Sequence, residues 1–286
     1  MTEKRTAVIT GASSGFGLLT AKAFAAAGWR VYATMRDADG RNAGVAGALR
    51  TLGIGIAELD VTSDASVDAA AKTILAEGGA VDVLVNNAGT AFFGIQEAFT
   101  PAAVERQFAT NVFGPLRVNR AFLPAMRERR SGLVVYISSG VGRFIVPFGG
   151  IYTASKWALE ALAETSSYEL APFDVDVAIV EPGAFGTNIF SVVSSADDTA
   201  RVASYGDVAK LAEARVAGIV ASSAGRDPND VAKVILGLAN LPSGTRPLRT
   251  PVPDNPVVSA INDAVAPIQG KLIESFGLGE LAKQRS

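Results

Sequence analysis

Tyr152 and Lys156 stand four residues apart in I-Y-T-A-S-K-W-A-L-E-A-L, a run of helical character, so the two side chains share one helix face. A free phenol has a pKa of about 10, too high for an efficient base at neutral pH. A cation beside it favours the phenolate and lowers that value, which makes the pair a candidate general acid/base. Among the tyrosines, Tyr152 alone has lysine at this spacing. Ser138 and Ser139 come shortly before it in I-S-S-G, and a serine hydroxyl there could hydrogen-bond a substrate oxygen. The chain has no histidine and no cysteine, which removes Ser-His-Asp triads, H-E-x-x-H zinc sites and thiol nucleophiles. No tight Asp/Glu cluster suggests a magnesium site, so no metal is expected. The competing reading is a chance Tyr–Lys pair on an amphipathic surface helix.

A second group of residues is suited to a nucleotide. T-G-A-S-S-G-F-G places Gly11, Gly15 and Gly17, with Ser13, Ser14 and Phe16 between them, directly after a strand pattern. Glycines at a strand-to-helix turn let the backbone approach a pyrophosphate, which the helix N-terminus stabilises. The spacing is G-x-x-x-G-x-G and not the common G-x-G-x-x-G, so a merely tight turn is the alternative. Asn87, Ala88 and Gly89 in N-N-A-G offer small residues and amides that fix backbone around a ligand, or form a simple turn. Asp60 lies where a ligand would sit at a sheet edge, or caps the helix that follows.

These residues need a scaffold that gathers them, and the hydrophobic pattern supplies one. Short β-branched runs alternate with helical patterns, the mark of a parallel sheet wrapped by helices. Strands are expected at 6–10, 29–34, 55–60, 81–85, 132–138 and 174–180. Helices are expected at 15–27, 64–77, within 101–130, and from about 151 to 170. The glycine turn, Asp60, Asn87–Gly89 and Ser138–Ser139 then fall at the carboxyl ends of the strands, where such sheets bind ligands, with Tyr152 and Lys156 on the helix after the fifth strand. After Pro182 the alternation loosens: a loop or short helices over 186–200, an amphipathic helix over 201–223, and a helix starting at Asp227-Pro228. A short last strand could lie in the Pro-rich 242–256 stretch, before a helical tail. The fold class is α/β: a doubly wound Rossmann-type domain with about seven parallel strands. It is read as one domain over 1–286, with a cofactor-binding and catalytic core at about 5–185 and a substrate lid, last strand and C-terminal helices at about 186–286.

Composition narrows the function classes. The balance of 26 basic and 28 acidic residues gives no electrostatic footprint for nucleic acid. The Arg127–Arg130 cluster is read as favourable charge at a helix C-terminus. No apolar run reaches the roughly 18 residues of a membrane span, and the polar start lacks a secretory h-region. A soluble, cytoplasmic protein without nucleic-acid or membrane partners is the expectation.

Taken together, Gly11-x-x-x-Gly15-x-Gly17, Asn86-Asn87-Ala88-Gly89, Ser139, Tyr152-x-x-x-Lys156 and Pro182-Gly183-x-x-x-Thr187 resemble the short-chain dehydrogenase/reductases. The motifs are in order and in register from about residue 5 to 190, and the branch resembled includes 17β-hydroxysteroid-dehydrogenase-like enzymes. Asn111 in T-N-V-F-G matches that family's further asparagine. The resemblance implies that Tyr152 moves the proton, Ser139 positions the substrate oxygen, and Lys156 lowers the phenol's pKa and holds the nicotinamide ribose. It implies that Asn111 supports a water-linked relay, that Pro182, Gly183 and Thr187 fix the carboxamide, and that Asp60, Val61 and Asn87 hold the adenosine half. It also implies a homodimer or homotetramer built on the helices corresponding to 101–130 and 151–170.

Aligned on that family, Met35 takes the position where NAD-dependent members keep an acid, and Arg36 follows it. A cation there suits a 2′-phosphate, so NADP(H) is favoured; Asp37 leaves NAD(H) as the alternative. Phe93, Phe144, Phe148, Phe185 and Phe190, with Ile189, Val192 and Val193 of the lid, are candidates to line an apolar pocket for a bulky ketone or secondary alcohol. Other readings are an NAD-dependent dehydrogenase working oxidatively, and an NADP(H)-binding regulator that has lost the chemistry.

Overall fold

In the computed structural model, which describes residues 4–187 and 195–283, the expected alternation of strand and helix appears in space. The chain runs β1 (Thr6–Ile9), α1 (Gly15–Ala26), β2 (Arg30–Met35), α2 (Ala43–Arg50), β3 (Gly55–Glu58), α3 (Asp64–Gly78) and β4 (Val83–Asn86). It continues through α4 (Pro101–Phe108), α5 (Gly114–Arg129), β5 (Gly132–Ile137), α6 (Gly150–Leu170) and β6 (Val175–Pro182). Then come α7 (Thr199–Ser204), α8 (Asp207–Ser222), α9 (Asn229–Asn240), β7 (Arg249–Val252), α10 (Pro256–Ser275) and α11 (Gly279–Lys283). The seven strands form one sheet in the order β3-β2-β1-β4-β5-β6-β7, and every neighbouring pair is parallel. The direction of winding reverses between β1 and β4, which opens a crevice at their carboxyl ends.

The two-residue period of each strand divides the core between two faces. Ile9, Ala33, Val85, Val135 and Val180 face Phe24 of α1, Leu49 of α2 and Ile235 of α9. Val8, Leu84, Val134, Tyr136 and Ile179 face Ile74 of α3, Phe122 of α5 and Leu159 of α6. Both faces are sealed, as a parallel sheet requires.

Several local features differ from expectation. The helix α2 was not anticipated, because A-G-V-A-G-A-L-R presents only Ala46 and Leu49 to the core. The region 101–130 is helical throughout but passes through one π-helical turn, Ala109–Phe113. The helix expected over 201–223 is broken at Tyr205-Gly206 into α7 and α8. Asp60 is not the cap of α3: Ser63 is, accepting from the Ser66 backbone N–H. The arginine cluster at the end of α5 does more than complement a helix dipole, since Arg129 pairs with Asp82 at 2.9 Å and Arg130 with Asp174 at 2.7 Å.

Candidate active site

The glycine turn after β1 is built for close approach. Gly11 has φ +66°, and a Cβ there would sit 2.8 Å from Ala88 Cα. Gly17, in the first turn of α1, faces Asn87: a Cβ would lie 2.4 Å from Asn87 Nδ2 and 2.6 Å from Gly11 O. That tight space lets the Asn87 amide donate to Thr10 O at 2.8 Å and Gly11 O at 3.2 Å. The Thr10 hydroxyl in turn accepts from the Asn87 and Ala88 backbone N–H groups at 2.9 and 3.0 Å. The end of β4 is thereby locked to the turn after β1. Asn86 plays a different part from its neighbour. It is buried and donates to Asn119, which donates to the Tyr136 hydroxyl.

Above this crevice lies a cavity of about 800 Å³. Of the expected cofactor residues, Gly11, Ser13, Ser14, Gly15, Phe16, Arg36, Asp60, Val61, Asn87, Ala88, Gly89, Pro182, Gly183 and Thr187 all line it, together with Tyr152 and Lys156. Gly17 does not border it and acts only through the packing just described. The first turn of α1 carries no acidic residue and its Ser14 cap makes no side-chain bond, so its N–H groups are free to meet an anion. Among the described residues Asp60 is the single carboxylate of the lining, against Arg36, Arg41, Arg106, Lys156, Arg215 and Arg226. Burial pushes the Asp60 carboxyl up, but bonds from Thr62 and the charges of Arg36 and Arg41 hold it below the usual range. A cationic cavity floored by glycine and a helix N-terminus fits a dinucleotide with a pyrophosphate.

The reactive residues converge on the same cavity. Ser139, just past β5, accepts from the Val141 backbone N–H and caps a single 3₁₀ turn, Gly140–Gly142. Tyr152 and Lys156 project from α6, both buried. Lys156 Nζ donates to Ile137 O at 2.8 Å and lies 5.8 Å from the centre of the Tyr152 ring. Burial pushes the Tyr152 phenol up to about 12, with the Ser139 hydroxyl opposing the shift. This is opposite to the lowering expected from the Tyr–Lys spacing. The ammonium is engaged by a backbone carbonyl and desolvation of the phenolate dominates. Burial also lowers Lys156 to about 8, while the charge of Glu160 acts to raise it.

Asn111 lies in the π-helical turn, a form of backbone common at functional sites. Its amide accepts from Thr90 N at 2.9 Å and donates to Thr90 O at 2.9 Å and Ser155 Oγ at 3.1 Å. It stands behind the cavity wall and does not line it. Ser155, between the tyrosine and the lysine, donates to Tyr152 O at 2.7 Å.

Among the apolar candidates, Phe93, Phe144 and Phe185 line the cavity. The Phe93 ring is 5.3 Å from that of Tyr152, and Phe185 stacks edge-on against Phe16 at 5.5 Å. Phe148 is a correction: it packs with Phe92, Ile95 and Phe99 instead, and its carbonyl accepts from Gly94 N. Phe190, Ile189, Val192 and Val193 lie outside the described residues. Sequence reasoning missed Arg41, Asn42 and Thr62 in the same wall as Arg36 and Asp60, and Ile219, Ser222 and Arg226 from α8 and the turn after it. A second cation five residues after Arg36 was a readable signal for Arg41. The contacts from α8 depend on tertiary packing and had none.

Asp37 also lies apart from the cavity lining. Its backbone is left-handed at φ +50°, and its carboxylate turns back to accept from Arg41 N at 3.1 Å.

Comparison with known proteins agrees with this geometry. The sequence profile of the family described as "short chain dehydrogenase" matches residues 5–198. Retinol dehydrogenase 8 of Bos taurus is 38% identical over 258 residues, covering 86% of this chain and 80% of its own. A 3-ketodihydrosphingosine reductase of Bacteroides thetaiotaomicron is 38% identical over 200 residues, covering 70% and 71%. The solved structure of a short-chain dehydrogenase from Streptomyces avermitilis superposes with a TM-score of 0.79 at 33% identity, covering 98% of each chain. Cofactors are present in two further similar structures. An alcohol dehydrogenase from Thermococcus sibiricus is complexed with 5-hydroxy-NADP (TM-score 0.69, 27% identity, 87% and 96% covered). A Burkholderia phymatum short-chain dehydrogenase/reductase is in complex with NAD (TM-score 0.76, 25% identity, 92% and 94% covered). The chain belongs to the short-chain dehydrogenase/reductase family and is an oxidoreductase that uses a nicotinamide cofactor.

Proposed function

We propose that the protein reduces a bulky apolar ketone to a secondary alcohol with NADPH, with Tyr152 as the general acid. The observation that carries this reading is a buried phenol that shares one cavity with Ser139, Lys156 and the glycine turn that fits a dinucleotide. When bound, the reduced nicotinamide supplies the hydride to the carbonyl carbon. Ser139 hydrogen-bonds the substrate oxygen, and Tyr152 gives that oxygen its proton. The phenolate left behind is stabilised by the Lys156 ammonium. Asn111 holds the Thr90 segment and Ser155 in place behind them.

A phenol whose pKa is pushed to about 12 holds its proton at neutral pH, which is compatible with the donor role that reduction requires. Val141, Phe144, Val146 and Ile219 supply apolar walls near Tyr152. The names of two relatives, a retinol dehydrogenase and a 3-ketodihydrosphingosine reductase, agree with an apolar substrate body. Preference for NADPH rests on Arg36 and Arg41 in the cavity wall and on Asp37 being folded away from it. A homo-oligomer through α5 and α6 is part of this reading, supported by the exposed Leu116 and Trp157 on those helices. Residues 5–185 then carry cofactor and catalysis, and residues 186–286 the lid and C-terminal elements.

The test is a panel of ketones and alcohols assayed with all four nicotinamide forms, with Tyr152→Phe as the blank. Loss of the tyrosine proton should lower kcat about 10²- to 10⁴-fold while cofactor binding persists. Undiminished turnover in that variant would overturn the mechanism. Cofactor binding without turnover of any carbonyl would favour the regulatory reading.

A further inference from the structure

One helical turn beyond Lys156, the protein buries a cluster of charges that the proposed chemistry does not use. Glu160 of α6 and Glu181 of β6 have side chains 3% and 0% exposed. Arg249 of β7 serves both. Its Nε is 3.0 Å from Glu160 Oε2 and 3.7 Å from Glu181 Oε1, and its Nη2 donates to Glu164 Oε2 at 2.7 Å. Glu164 also accepts from the Tyr168 hydroxyl. From the loop between Ser139 and Tyr152, Arg143 Nε donates to Asn262 Oδ1 at 2.7 Å and lies 4.0 Å from Glu181 Oε1. Asn262 of α10 completes the link by donating to Glu181 Oε2 at 2.8 Å. The Ser138 hydroxyl and the Lys156 ammonium flank Glu160.

The hydrogen-bond inventory does not close. Glu160, Glu164 and Glu181 face Arg249, Arg143 and the Lys156 ammonium, whose Nζ hydrogen bond goes to Ile137 O. Glu181 Oε1 is buried with no hydrogen-bond partner among the described residues. Two carboxylates that share one guanidinium nitrogen in a dry site cannot both ionise cheaply. Burial pushes both glutamates up, and Glu181 reaches about 7 with the charge of Glu160 as the next cause. One proton held between them removes one of two adjacent buried charges and turns an unsatisfied acceptor into a donor.

We propose that Glu160 and Glu181 hold one proton between them, and that this pair, through Asn262 and Arg143, positions the substrate-facing loop between Ser139 and Tyr152. The loop carries Val141, Phe144 and Val146 to the cavity wall. When the shared proton leaves, a second buried charge appears 4.0 Å from Arg143. It draws the guanidinium from Asn262 toward Glu181 and shifts the loop that follows. Glu160 and Glu181 are positioning residues, and only the kinetic consequence rests on the reductase reading: substrate KM rises with pH while cofactor KM does not.

Two measurements without substrate keep this idea separate from the reductase reading. Infrared difference spectra of the wild type should show a protonated-carboxyl stretch at about pH 6.5 that is lost by about pH 8.5 and absent from Glu181→Gln. Amide hydrogen exchange across residues 139–150, corrected for intrinsic rate, should accelerate at least about threefold over that range in the wild type. Glu181→Gln, a neutral isostere, should keep slow exchange and a flat substrate KM throughout. Asn262→Ala should exchange quickly at both pH values. A wild-type spectrum without the protonated-carboxyl band, or a Glu181→Gln loop that loosens with pH as the wild type does, would overturn the proposal.

Discussion

Replacing Arg36 and Arg41 together by alanine tests the cofactor assignment most directly. Both residues line the cavity near Asp60, where the proposed NADPH would place its 2′-phosphate. The turn that presents them is held by Asn42, whose amide donates to Arg36 O at 2.6 Å, and by Asp37, which accepts from Arg41 N. Asp37 is therefore spent on the turn and lies 3.7 Å from Arg41 Nε. A charge-assisted hydrogen bond to phosphate contributes about 1.5–3 kcal/mol when dry. Both arginines are exposed and Arg41 is shared with Asp37, so about 1 kcal/mol each is the better figure. Together they amount to about 2 kcal/mol, or about 30-fold in kcat/KM for NADPH. NADH lacks the phosphate and should change less than about twofold. Steady-state kinetics with one ketone and both cofactors, checked by Kd from nucleotide fluorescence, reads the two numbers separately. Equal losses with NADPH and NADH, or a wild-type enzyme that prefers NADH, would refute the reasoning.

Thr10→Val keeps the volume but removes the acceptor for the Asn87 and Ala88 N–H groups. It should cost about 2–3 kcal/mol in chemical denaturation and weaken cofactor binding, and an unchanged Tm would count against the lock between β1 and β4. Glu181 binds its proton more tightly when folded, so its stabilising contribution is full below its ordinary pKa of 4.5 and is lost as pH rises through about 7. Glu181→Gln should flatten that loss, worth about 3 kcal/mol between acid and mildly alkaline urea denaturation, and an unchanged slope would contradict it. For Lys156, with its pKa near 8, reductive kcat should fall as pH rises through that value, while the Tyr152 phenol stays protonated. A profile flat to about pH 10 would show that the ammonium is not needed.

Much of the site was legible because backbone geometry leaves few choices at its positions. Gly17 is specified by the Asn87 amide against it and Gly11 by Ala88, so the motif encodes contacts between strands distant in sequence. The Tyr152–Lys156 spacing was legible because α6 is one uninterrupted helix. What escaped depends on direction or burial, which spacing does not encode. Asn86 and Asn87 are neighbours of one type, yet strand alternation sends one into the core and leaves the other at the turn. Phe148 looked like a pocket residue, but its left-handed backbone at φ +62° turns the ring to the Phe92 cluster. Glu160 and Glu181 were passed over because carboxylates usually face water. Only the folded sheet brings α6, β6, β7 and α10 to one point.

Burial acts on these ionisable groups in a common sense, moving each toward its neutral form. That sense is useful for the phenol, because a proton donor must hold its proton until the substrate oxygen takes it. It is harmful for the lysine, whose positive charge must face the phenolate that donation creates. Glu160 opposes the loss, since its charge supports the ammonium. Yet a full charge on Glu160 is itself disfavoured beside Glu181. The sharing of one proton between the two glutamates satisfies both demands, leaving the pair one negative charge that Lys156, Arg249 and Arg143 surround. As pH rises, Glu181 titrates near 7, Lys156 near 8 and Tyr152 near 12. On the proposed mechanism, the alkaline limit of reduction is then set by the groups behind Tyr152 and not by Tyr152, the residue proposed to transfer the proton.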